Sequence, residues 1–78
     1  MTNRIKQFLE NNFLFQFGGD ITEDTNLFTA GLIDSFGFIE LTNFLEREYN
    51  IKYASEELLS NSFTTLNKII DTVVRKQQ

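Results

Sequence analysis

The chain has 78 residues, a net charge of −4, 41% hydrophobic residues including nine Phe, and neither Cys nor His. A fold this short buries only about 60% of the surface its unfolded chain would expose, which leaves room for a compact core but not for an enzyme cleft beside it. Without Cys and His there are no disulfides, no thiolate nucleophile, no sulfur-ligated metal and no imidazole base, so most catalytic chemistry is excluded.

The charge is unevenly spread. Between Asp20 and Glu57 nine acids face only Arg47 and Lys52, whereas the two ends together are basic. An acidic middle disfavours nucleic acid and suits basic protein partners, although it also serves solubility. The first residues, Met1-Thr2-Asn3-Arg4-Ile5-Lys6, are too polar for a signal h-region. No apolar run reaches membrane-spanning length, so a soluble, cytoplasmic, monomeric chain with no membrane insertion is the expectation, one domain over residues 1–78.

In chain order, Ile5, Phe8, Leu9 and Phe13 recur at helical spacing behind Thr2 as N-cap, which predicts a first helix over roughly residues 3–15 that ends by Gly18-Gly19. A loop of about fifteen residues then runs to Asp34, long for a small domain. Its apolar residues Ile21, Leu27, Phe28, Leu32 and Ile33 should pack it down firmly enough to present residue 35. The acids of Asp20–Asn26 are spaced like a calcium loop, but Thr25 stands where the turn Gly belongs and Gly31 where the bidentate Glu belongs.

Gly31-Leu32-Ile33-Asp34-Ser35-Phe36 opens directly onto an amphipathic run ending at Tyr49, the second predicted helix. Phe38, Leu41, Leu45 and Tyr49 fall within an arc of about 80° and form its expected core face. Ser35, Phe36, Ile39 and Asn43 share another side, flanked by Glu40 and Glu46, too apolar at Phe36 and Ile39 for an idle surface and too acidic for a core. A partner-docking face is the preferred reading over incidental exposed hydrophobes. Ser35 has no base to activate it, and Ile33 stands where a nucleophile elbow needs Gly, so a serine hydrolase is excluded. Ser35 reads as a helix N-cap, as a place to attach something, or as both.

Asn50–Tyr53 is a connector, and Ser55-Glu56-Glu57-Leu58-Leu59 a short helix with Ser55 as cap and acids in its first turn. Thr64-Thr65 can cap a last helix whose Leu66, Ile69, Ile70, Val73 and Val74 form a core stripe. The carboxylate pairs Glu46/Glu48 and Glu56/Glu57 lie on helix faces without a cleft and read as solvated. The fold class is therefore all-α, a four-helix bundle with a long first loop and a short third helix.

The segment Leu27-Phe28-Thr29-Ala30-Gly31-Leu32-Ile33-Asp34-Ser35-Phe36-Gly37-Phe38-Ile39-Glu40-Leu41 resembles the modification-site segment of acyl carrier proteins. The Asp-Ser pair, the apolar residue after it and the Ile-Glu-Leu that follows match that family's pattern Asp-Ser-(Leu/Met)-x-x-(Val/Ile)-Glu-Leu. The Phe63-Thr64-Thr65-Leu66 start of the last helix matches as well, and the order of elements fits from the first helix to about Val74.

The resemblance implies that a phosphopantetheinyl transferase moves 4'-phosphopantetheine from coenzyme A onto the Ser35 hydroxyl, and that acyl or aminoacyl cargo rides as a thioester on the arm's thiol. A chain without Cys would then work with a sulfur it acquires. Asp34 would support the transferase complex through its magnesium ion, and Phe36, Ile39, Glu40, Asn43 and Glu46 would be read by partner enzymes. Those partners would be a loading ligase or transferase and downstream synthases or acyltransferases, in fatty acid, polyketide or other specialised biosynthesis. Leu41, Leu45, Phe63, Leu66 and Ile69 would line the interior where some carriers shelter an acyl chain, or would be plain core.

The chain departs from the housekeeping fatty-acid carriers at Gly37-Phe38, where a mid-helix Gly costs about 1 kcal/mol against Ala. Arg47 interrupts the usual acidic run, and the bulky Phe44 and Phe63 would narrow an acyl tunnel. The wording Gly-Leu-Ile-Asp-Ser-Phe-Gly is more similar to specialised stand-alone carriers, including those for D-alanine or other amino acids.

Overall fold

A computed structural model describes residues 1–78. Its helices are α1 (Thr2–Phe13), α2 (Ser35–Tyr49), α3 (Ser55–Leu58) and α4 (Leu66–Lys76), with no strand. This is the all-α four-helix architecture predicted, with the long first loop and the short third helix.

α1 buries Ile5 and Leu9 and stops at Phe13, earlier than predicted, because Leu14 adopts the left-handed conformation at φ 60° and turns the chain off the helix axis. Its N-cap is Met1 without a side-chain cap, so the Thr2 cap is corrected. α1 is fastened to α2 by the Arg4–Glu48 pair, with guanidinium Nε and Nη2 each 3.2 Å from a carboxylate oxygen. One turn further on, Phe8 stacks on Phe44 at 4.1 Å.

The core face of α2 is wider than the predicted stripe. Leu41 and Leu45 are fully buried, but Gly37, Thr42 and Phe44 are buried too, while Phe38 and Tyr49 are only half-buried. The difference arises because α2 meets α1 on one flank, through Phe8 on Phe44 and Phe13 on Gly37, and on another flank Phe38 meets Phe28 of the loop and Phe63. Asn50, left-handed at φ 54°, ends the helix with its N–H on the Glu46 carbonyl.

The fifteen-residue stretch before α2 is ordered by its own bonds. Asn26 Oδ1 accepts the N–H groups of Phe28 and Thr29 at 3.1 and 3.0 Å, and the Leu27 carbonyl accepts those of Leu32 and Ile33. Gly31 at φ 77° supplies the left-handed turn between them, a conformation costly for a residue with a Cβ. Leu27 and Ile33 are buried in the core, and the Leu27 N–H donates to the Thr64 carbonyl at 2.7 Å, anchoring the loop to the entrance of α4.

α3 begins after Ala54 rather than with a Ser55 cap; the Glu57 carboxylate reaches back to the Ala54 N–H at 2.7 Å. α4 is capped by Thr65, whose hydroxyl accepts the Lys68 N–H at 3.1 Å. Leu66, Ile69 and Val73 are buried and Ile70 is half-buried, but Val74 is exposed, so the last position of the predicted stripe faces solvent. No helix is long and apolar enough to cross a membrane.

Candidate functional site

The ordered loop ends at the first turn of α2, and there the structure corrects the sequence reading of the cap. Asp34, in extended backbone, is the N-cap: its Oδ1 accepts the Gly37 N–H at 2.8 Å. Ser35 is the first helical residue, exposed, and its hydroxyl enters no hydrogen bond within the chain. The N–H groups of Ser35 and Phe36 are likewise left without an intrachain acceptor, as expected of the first turn of a helix. An anion on the Ser35 oxygen would therefore meet two free donors and the positive end of the helix dipole, an arrangement worth about 0.3–1 kcal/mol. The residues present fit a phosphodiester there.

The predicted docking residues lie on one exposed side of α2, with one exception. Phe36 is 71% and Ile39 55% exposed, and Glu40 and Asn43 stand beside them in solvent. Glu46 is half-buried, and its carboxylate accepts the Tyr53 N–H at 2.9 Å, so it also fastens the α2–α3 connector.

Charge pairing sharpens this side. Glu48 is engaged by Arg4, Glu23 by Lys6 at 2.9 Å and Glu57 by Lys76 at 2.6 Å, while Asp34, Glu40 and Glu46 have no cationic partner. Asp34 and Glu40, close to Ser35 in the chain, are among the acids left without a cationic partner, so their field is not cancelled by an ion pair, which favours a basic partner at this end of α2.

Leu41, Leu45, Leu66 and Ile69 are fully buried and Phe63 is 2% exposed, joined edge-to-face to Phe38 at 5.3 Å and to Tyr53 at 5.0 Å. They form a packed core. What lies beside Ser35 is a solvent-open depression of about 400 Å³, with Phe28, Phe38, Leu58 and Phe63 below and Asn26, Thr29, Asn61 and Thr64 among the polar groups around it.

Two features escaped the sequence reading. Asp34 as cap was legible in principle, since Asp is among the best N-caps and is followed three positions later by a free N–H. The tight approach of Phe13 to Gly37 was signalled only by a glycine in a helical run.

Comparison with known proteins agrees with this geometry. The family described as phosphopantetheine attachment site matches residues 15–73, a span that contains the Asp34-Ser35 pair and the whole of α2. A D-alanyl carrier protein of Streptococcus suis (strain 05ZYH33) is 38% identical over 72 residues, covering 90% of this chain and 91% of the relative. D-alanyl carrier proteins of Streptococcus pyogenes, serotype M5 (strain Manfredo) and serotype M49 (strain NZ131), are each 38% identical over 63 residues, 78% of this chain and 80% of theirs. The chain thus belongs to the phosphopantetheine attachment site family of stand-alone carrier proteins, whose members bear 4'-phosphopantetheine covalently.

Proposed function

We propose that this chain is an aminoacyl carrier of the D-alanyl kind, with 4'-phosphopantetheine attached at Ser35. The observation that carries the attachment reading is the Ser35 hydroxyl, exposed and unbonded in a capped first turn with two free N–H donors. In the modification, Ser35 Oγ forms a bond to the phosphorus of coenzyme A's pantetheine phosphate and loses its proton, while the diphosphate bond breaks and adenosine 3',5'-bisphosphate leaves. Once bound, the arm supplies a thiol that holds cargo as a thioester. The chain's own residues position and recognise; none of them performs a chemical step after attachment.

Asp34 keeps one carboxylate oxygen on the Gly37 N–H, and its other oxygen makes no bond within the chain, available to the transferase's magnesium ion. Phe36, Ile39, Glu40 and Asn43 form the surface that the transferase, the loading ligase and the downstream acyltransferase share, with Glu46 at its edge. A single small apolar and acidic patch suits a shuttle that must leave each enzyme in turn.

The D-alanine assignment draws on the relatives and on the packed interior. A compact aminoacyl group needs no shelter, whereas a long acyl chain would have to displace Leu41, Leu45 and Phe63 from a close-packed core. A second reading, short-chain acyl carriage for fatty acid or polyketide synthesis, is favoured only by the apolar floor of the depression beside Ser35. Either way, a monomer working in the cytoplasm, where coenzyme A and ATP are supplied, fits the role. The test is loading of the modified chain, followed by intact mass, with ATP and either D-alanine and an aminoacyl-adenylating ligase or fatty acids and an acyl ligase. Charging with D-alanine is expected; charging with fatty acid alone would reverse the assignment.

A further inference from the structure

Gly37 sits in right-handed helical backbone, where no positive φ requires glycine. Space explains it. A Cβ at Gly37 would stand 2.5 Å from Phe13 Cε1, 3.1 Å from Phe13 Cζ and 3.3 Å from Asp34 Oδ1. The ring that ends α1 thus lies against the bare backbone of α2's first turn, beside the carboxylate that caps it. The ring is backed in turn: Phe13 meets Phe8 edge-on at 6.1 Å, and Phe8 stacks on Phe44 in the middle of α2. Leu14 takes its left-handed conformation and points into solvent, 91% exposed, directly after the ring is placed.

We infer that Phe13 and Gly37 form a clamp that fixes the Asp34-capped first turn of α2, and with it the direction in which the Ser35 hydroxyl is offered to the modifying enzyme. Ser35 has no side-chain bond of its own to hold it, so its geometry is set by the backbone of residues 34–37. That backbone is held from within by the Asp34 Oδ1 bond to the Gly37 N–H, and from outside by the ring. A methyl group at Gly37 presses on both. Gly37 is a positioning residue, since it touches neither the hydroxyl nor any donor nucleotide. The inference rests on Ser35 being the attachment site and adds to it the element that aims the oxygen.

The test compares Gly37→Ala, Phe13→Leu and the double variant by two readouts: amide hydrogen exchange at residues 37 and 38, and kcat and KM for coenzyme A-dependent mass gain with a phosphopantetheinyl transferase. Gly37→Ala is expected to speed exchange at both amides and to lower kcat by about tenfold to a hundredfold, the range expected when a reacting group is misplaced by an ångström or less. KM should stay near the wild-type value, because Phe36 and Ile39 are untouched. Phe13→Leu, which empties the clamp from the other side, should speed the same exchange. In the double variant the added methyl occupies space the ring vacated, and both readouts should move back toward wild type. Unchanged exchange in Gly37→Ala and Phe13→Leu, or a double variant no better than Gly37→Ala, would overturn the clamp. Absence of mass gain on the wild-type chain would remove the attachment reading, and exchange alone would then judge the clamp.

Discussion

Asp34 accepts the Gly37 N–H through Oδ1 at 2.8 Å, so the residue before Ser35, and not Ser35 itself, closes the start of α2. The division of labour frees the serine hydroxyl. A serine serving as its own helix cap would have its oxygen committed to a backbone N–H, whereas here Ser35 is exposed, its oxygen is unbonded, and the Asp34 cap does not depend on it.

Replacing Asp34 separates its two roles. Asp34→Ala should destabilise the fold by about 1 kcal/mol through loss of the cap, a fall in Tm of about 4–8 °C for a chain of this size. Asp34→Asn keeps a capping oxygen and should hold Tm near wild type. If the charge also serves the transferase's metal, both variants slow phosphopantetheine transfer. Thermal unfolding and transfer rate measured on the same samples distinguish cap from charge.

Phe36→Ala and Glu40→Lys alter only exposed groups, so far-UV circular dichroism and Tm should be unchanged. Transfer and loading should slow in both. Glu40→Lys should also blunt the salt dependence, since association steered by uncancelled acids weakens as the screening length shortens to about 8 Å at physiological ionic strength. Stopped-flow association over a salt series reads this directly.

Phe63 is the buried ring on which Phe38 and Tyr53 converge edge-to-face. Phe63→Ala should cost about 3–5 kcal/mol, enough to leave the chain marginal. Phe63→Leu, which keeps most of the volume, should fold and lose less than half of that. Chemical denaturation gives both values.

Much of this architecture was readable before the structure. The spacing of Ile5, Leu9, Leu66, Ile69 and Val73 named core residues correctly because each lies on a helix packed on one side. The bounds of α2 were legible because it starts within the Asp34-Ser35 pair and its apolar period breaks at Asn50. Phe44 and Thr42 were missed because α2 is covered on two flanks, and a single-stripe reading cannot show a second neighbour. The stop of α1 at Phe13 depends on a left-handed leucine, which no propensity favours. Gly37 registered only as a helix weakness, since the ring that needs the space is 24 residues away in sequence.

Acid should loosen the fold through identifiable groups. The Ala54 N–H and the Lys76 ammonium hold the Glu57 carboxyl below its ordinary value of 4.5, Arg4 does the same to Glu48, and Lys6 to Glu23. Each carboxylate binds its proton less readily in the folded chain. The stability each adds is therefore present above 4.5 and is lost as pH falls through the lowered folded value. Tm should decline over that window, and Glu57→Gln should make the decline shallower. All three pairs are solvent-screened, so the effect of each is small.

The central claim is that Ser35 anchors the prosthetic group. The most direct measurement is the intact mass of the folded chain after incubation with coenzyme A, magnesium and a broad-specificity phosphopantetheinyl transferase, run beside Ser35→Ala. The expected result is a gain of one phosphopantetheine on the wild-type chain and none on Ser35→Ala. No gain on well-folded wild type, or a gain that survives in Ser35→Ala, would contradict it.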